Sequence, residues 1–153
     1  MSSHELWKAP GVVPSLAYED VPAAAEWLTR AFGFRERSEA RLSWPGGSMT
    51  WMELGDDILI HIEAAGAHER QSPKSLGAVS HALKVYVDNV DEHFMQAKEA
   101  GATIISEPED KFWGGRVYEA RDPEGHHWEF SERGRERAPD AWQLPKGVIR
   151  SQP

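Results

Sequence analysis

The sequence predicts an α+β fold built from two tandem β-α-β-β-β modules. Three observations predict it. The chain matches itself without a gap when slid by 68 positions: Tyr18 falls on Tyr86, Asp20 on Asp88, Gly33 on Gly101, and Gly46-Gly47 on Gly114-Gly115. Between these points the hydrophobic classes follow the same order. The stretch joining the two copies, AAGAHERQSPKSLGAVS (64–80), has the Gly, Ala, Ser and Pro content of a connector.

Each module, 12–63 and 81–131, reads the same way along its length. VVPSLAYE (12–19) and HALKVYV (81–87) are strand-like, the second strongly β-branched and aromatic. Asp20 and Asp88 follow as helix starters, because a carboxylate takes up free N–H groups of a first turn. Val21, Ala24, Ala25, Leu28, Ala31 and Phe32 form a one-sided stripe, as do Val90, Phe94, Ala97 and Ala100. Gly33 and Gly101 then stop the helices at a left-handed cap. Three strands follow in each module, over 34–42, 48–54 and 57–63, and over 102–107, 116–121 and 126–131. Residues 1–11 read as an N-terminal extension. Residues 132–153 read as a charged, proline-bearing tail, pinned by Trp142 and Leu144 to the body or to a second subunit.

Composition narrows the function. The chain has 153 residues, 40% of them hydrophobic, with seven Trp, enough to bury a core. Its mean hydropathy is −0.59, and no apolar run approaches the ~20 residues of a membrane span. The start, MSSHELWKAPG, lacks the apolar centre of a signal peptide. Cysteine is absent, which excludes disulfides, thiolate nucleophiles and Cys-ligated metals. A soluble, cytoplasmic protein is the expectation. A net charge of −8 argues against a nucleic-acid partner and is compatible with a cationic ligand or a metal ion. There is no glycine-rich phosphate loop and no Gly-x-Ser-x-Gly nucleophile setting.

RDPEGHHWEF (121–130) carries the most chemistry in the fewest residues. Asp122-Pro123-Glu124-Gly125 is a tight turn, with Pro and Gly each supplying a backbone angle. In the strand after it, His127 and Glu129 share one face, and His126, Trp128 and Phe130 share the other. His127 is a replacement ligand or a proton-transfer group. His126 packs against a helix or lies at the strand's wet end. His4, His68 and His93, in the start, the connector and a helix, are expected in solvent.

A doubled β-α-β-β-β unit ending in DPEGHHWEF resembles the vicinal oxygen chelate superfamily, the glyoxalase, bleomycin-resistance and extradiol dioxygenase group. FWGGRVYEARDPEGHHWEF (112–130) is similar to a motif of its PhnB-like branch. The resemblance covers 12–131 and implies the glyoxalase/bleomycin-resistance fold, a half-open barrel around a cavity. Metal-dependent members carry ligands on the first and last strand of each module. The last-strand positions correspond to His61 and Glu129. The first-strand positions correspond to Val13 and to either His81 or Ala82. The repeat offset favours His81, whereas the spacing of a typical glyoxalase-like member favours Ala82, and one residue of slip turns a strand side chain to the other face.

With His81 inward, His61, His81 and Glu129 suit Fe(II), Mn(II), Zn(II) or Ni(II), which would act on vicinal oxygens as a Lewis acid. With Ala82 inward, Lys84 and Tyr86 join its face, and Lys84 becomes a buried cation paired with Glu129 or with a substrate anion. Trp51, Trp113 and Arg116 are the remaining pocket residues, suited to stack on or clamp a planar or anionic ligand. The implied function is a glyoxalase/dioxygenase-like small-molecule enzyme, with Glu129 and His127 catalytic and a divalent metal. The alternative is a non-catalytic, bleomycin-resistance-like protein that sequesters a drug-like molecule. The resemblance also implies a homodimer.

Overall fold

The computed structural model describes residues 6–151, in two compact units that divide between Ala78 and Val79, inside the connector. His4 lies outside the described residues. The first unit runs β1 (Ser15–Tyr18), α1 (Val21–Phe32), β2 (Arg35–Glu36), β3 (Leu42–Trp44), β4 (Gly47–Leu54) and β5 (Ile58–Ala64). Its sheet has the order β1-β5-β4-β2, with β3 also on β4 and β1 parallel to β5. Asp20 caps α1 by accepting the Ala23 N–H, and Gly33, at φ 81°, closes it where a Cβ would be strained. The predicted stripe is buried, together with Leu16, Tyr18, Met52, Ile60 and Ile62 of the sheet.

The single strand expected over 34–42 is broken in two by a 3-10 turn at Ser38–Ala40. Arg41 folds back onto Glu36 through Nε and Nη2, at 2.7 and 2.8 Å, and Thr50 Oγ1 donates to the same carboxylate at 2.7 Å. The Arg41 hydrogen bond is the main cause of a lowered Glu36 pKa. That charge-assisted knot turns the chain where hydrophobic alternation alone reads straight through. The connector beyond β5 holds a short helix, α2 (Pro73–Leu76), capped by Ser72.

The second unit runs β6 (Ala82–Val87), α3 (Val90–Glu99), β7 (Thr103–Asp110), β8 (Arg116–Arg121) and β9 (His127–Glu132). Its sheet has the order β6-β9-β8-β7, with β6 parallel to β9. The helix is capped by Asn89, whose Oδ1 accepts the Glu92 N–H at 3.1 Å, and not by Asp88. The repeat is therefore not gapless. Ser15 and Lys84, each paired with the key residue of its module's last strand, are 69 positions apart, as are the caps Asp20 and Asn89. His61 and Glu129 remain 68 apart, as do Gly33 and Gly101. The second copy is one residue shorter between its N-cap and its left-handed glycine.

The Asp122 turn is held from inside. Oδ1 accepts the backbone N–H groups of Glu124 and His126. His126 is buried beneath it, which rules out the wet strand end of the two places expected for it. Tyr118, Trp128 and Phe130 are fully buried on the α3 side with Phe94. His93 is not in solvent: its Nδ1 lies 2.6 Å from Tyr118 Oη and its ring 4.2 Å from Phe130. Burial raises the Tyr118 phenol pKa.

The tail packs on its own unit. Trp142 meets Phe112 edge-on, Gln143 N–H donates to Phe112 O, and Arg137 N–H donates to Trp113 O. No helix among the described residues is long and apolar enough to cross a membrane.

Candidate functional site

Strand alternation puts Ser15, Trp51 and His61 in one row of the first sheet, on the face away from α1. Ser15 Oγ lies 2.8 Å from His61 Nδ1, which orients the ring. Trp51 stands 4.6 Å from the His61 ring, and Trp7 meets Trp51 edge-on at 5.2 Å. Arg37 lies 4.5 Å over the Trp7 ring, donates from Nη1 to Lys8 O at 2.8 Å, and is anchored from Nε on Glu53 at 2.7 Å. Beside this group a cleft of about 520 Å³ runs between Lys8 and Pro10 on one side and Glu53, Asp56 and Leu59 on the other. Burial lowers the His61 pKa, opposed by the charge of Glu63. Glu63 is itself buried and paired with Arg70.

In the second sheet the corresponding row holds Ala82, Lys84, Glu119, His127 and Glu129. Ala82 is the register partner of His127, while Lys84 and Glu119 flank Glu129 from either side. Ala82, and not His81, therefore shares the face of Glu129. His81 precedes the strand, is exposed, and lies 3.5 Å from Ser80 Oγ. Lys84 Nζ reaches Glu129 Oε2 at 3.3 Å, but the Lys84 side chain is 71% exposed, so the pair is formed in the open and not as a buried cation. Glu119 and Glu129 oppose each other directly, a repulsive arrangement that Lys84 offsets. His127 Nε2 sits 3.6 Å from Glu119, buried and without a hydrogen-bond partner.

The remaining expected pocket residues are Arg116 and Trp113. Arg116 shares strand parity with Tyr118 and so lies on the α3 side. There it is held by Asp91, at 2.8 and 2.9 Å, and by Asp110 at 3.1 Å. Those partners raise its pKa and leave no free fork for a ligand anion. Trp113 is half-buried in the turn before β8, edge-on to Phe112. Sequence reasoning passed over Ser15, Trp7 and Arg37. A single aromatic residue in the N-terminal extension was the available signal for the second. The other two needed the sheet register.

The donor set does not fit a metal centre. Counted from Ser15 and Lys84, the two first-strand ligand positions are Val13 and Ala82, and neither carries a donor atom. Among the described residues no three His, Asp or Glu side chains are grouped to hold an ion. What remains is an imidazole already bound by Ser15 in one unit and a carboxylate already paired with Lys84 in the other.

The family profile of the Glyoxalase/Bleomycin resistance protein/Dioxygenase superfamily matches residues 12–130, and the chain belongs to that superfamily. Its two β-α-β-β-β modules have the corresponding fold. An uncharacterized protein of Mycobacterium tuberculosis is 30% identical over 132 residues, 83% of this chain and 76% of that protein. TioX from Micromonospora sp. ML1 is 34% identical with a TM-score of 0.65, over 82% of this chain and 98% of that one. A glyoxalase/bleomycin resistance protein/dioxygenase family enzyme from Burkholderia phytofirmans PsJN, 22% identical, has the same fold at a TM-score of 0.65, over 81% of this chain and 98% of that one.

Proposed function

We propose that this protein binds a planar, drug-like small molecule without transforming it, by packing it against Trp51. The observation that carries this reading is the aromatic row Trp7–Trp51–His61 on a sheet face whose first-strand position is aliphatic. A large, stiff indole contributes contact area at little entropic cost, and its face takes neutral or cationic rings. The test is a titration with neutral, cationic and anionic planar aromatics, read by tryptophan fluorescence in wild type and Trp51→Ala. Saturable quenching that Trp51→Ala abolishes supports the reading. No saturable ligand, or one indifferent to Trp51, sinks it.

A second reading, a glyoxalase/dioxygenase-like enzyme, is favoured by His127. Its buried, unpartnered Nε2 stands on the same face as Glu119 and Glu129, where an imidazole and carboxylates would move protons. The metal form of this reading, with His61, His81 and Glu129 as ligands to Fe, Mn, Zn or Ni, is disfavoured by the donor set, since Ala82 and not His81 shares the face of Glu129. Elemental analysis of tag-free protein after metal incubation and gel filtration decides it. Near-stoichiometric metal, lost in both His61→Ala and Glu129→Ala, would favour this second reading. A homodimer in the cytoplasm belongs to either reading, and light scattering tests the dimer.

A further inference from the structure

The first unit already seats a ring on Trp51, and it is its own. We infer that Trp7 and Lys8 are a built-in occupant of the ligand site, and that the ligand is a planar aromatic molecule bearing an oxygen acceptor beside its ring. This rests on the binding reading above and names the ligand's chemistry.

The geometry resembles a bound complex more than a structural anchor. A structural anchor buries its indole, whereas Trp7 is 47% exposed and the neighbouring Leu6 more so. The groups that receive it are less exposed and are held by the sheet. The Arg37 side chain is only 17% exposed and is fixed by Glu53, a carboxylate that also holds Arg35. Arg37 then recognises two features together: the face of an indole, and a carbonyl oxygen next to it, that of Lys8. Trp51 supplies the second wall, edge-on at 5.2 Å. A guanidinium over a ring, a donor to an adjacent oxygen and an indole wall make up a recognition set for an aryl carbonyl or aryl carboxylate. The cleft of about 520 Å³ alongside leaves room for substituents. A molecule with the same two features would displace the segment and take its contacts.

Competition follows from this arrangement. While Trp7 is seated, only the open fraction of molecules accepts a ligand, and the apparent affinity falls by that fraction. The test uses the full chain with Trp7→Ala and the probe N-acetyltryptophanamide, an indole with carbonyl acceptors. Binding is read by NMR from the Trp51 indole N–H and the His61 ring, assigned through Trp51→Phe and His61→Asn. Trp7→Ala should bind the probe about tenfold more tightly than wild type. Adding Arg37→Ala to Trp7→Ala should weaken that binding by about tenfold. Without any probe, hydroxyl-radical oxidation of Trp51 should rise in Trp7→Ala.

Affinities within about twofold of each other in wild type and Trp7→Ala would overturn the inference, because no competition would exist. Unchanged Trp51 oxidation, or probe shifts away from Trp51 and His61, would do the same. If some other planar guest binds wild type through Trp51 but ignores Trp7→Ala, the occupant inference fails while the binding reading stands. If no aromatic binds either protein, both fail.

Discussion

Asp122 Oδ2 accepts the indole N–H of Trp128 at 3.1 Å, while Oδ1 takes the backbone N–H of Glu124 at 3.1 Å and of His126 at 3.0 Å. One buried carboxylate thus ties a turn, the start of β9 and the largest core side chain together. Asp122→Ala leaves these donors without their acceptor in a dry site and is expected to cost roughly 2–4 kcal/mol, with Asp122→Asn costing less. Urea unfolding measures it, and a loss below about 1 kcal/mol would show that water replaces the carboxylate.

His61 should titrate below its ordinary value of 6.5, because burial disfavours the imidazolium. The sign follows from which state binds the proton first. As pH falls through 6.5 the unfolded chain protonates while the folded one resists, so folding stability falls there and recovers as pH rises. NMR titration should place the midpoint under 6.5, and His61→Gln should flatten that part of the stability profile. A midpoint at or above 6.5 contradicts the burial argument.

Lys84 reaches the largely covered Glu129 from the solvent side, its own side chain 71% exposed, so its loss should be mild. Lys84→Ala is expected to cost under about 1 kcal/mol, because exposed ion pairs are screened. Glu129→Gln should be neutral or stabilising, since it removes the repulsion with Glu119. Thermal denaturation of both variants and the double variant measures the coupling. A large loss in Lys84→Ala would mean the pair is covered in solution.

Gly114 should tolerate no side chain. Its φ is +89°, and a Cβ there would meet Arg137 Cγ at 2.8 Å and the Arg135 carbonyl at 3.0 Å. Gly114→Ala is expected to cost about 1–2 kcal/mol and to loosen the tail. Trypsin should then cut after Arg135 or Arg137 much faster than in wild type. Equal cleavage rates would show that the tail does not depend on this contact.

The modules, their helices and the DPEG turn were legible because each rests on local signals: strand alternation, a capping carboxylate, a left-handed glycine. The one-residue slip was hidden because Asp88 and Asn89 are adjacent residues that cap equally well. Yet the alternation of Leu83, Val85 and Val87 already put His81 on the helix side with them, and that signal outranked the repeat offset. Arg116 misled because its partner Asp91 comes from α3, a contact that no spacing on one strand predicts. The break at Ser38–Ala40 and the half-buried state of His93 likewise depend on partners far along the chain, Thr50 and Tyr118.

The paired slots on the leading and closing strands have a consequence for how the two halves diverged. Ser15 answers an imidazole and Lys84, in the equivalent register, answers a carboxylate. Neither member transfers alone. A serine in place of Lys84 would leave two facing acids without their counter-charge. A lysine in place of Ser15 would set an ammonium against a ring already reluctant to hold a proton. Each half is thus set apart by a matched two-residue couple and not by one residue, and in the solvent-facing Lys84–Glu129 couple the match is worth under about 1 kcal/mol.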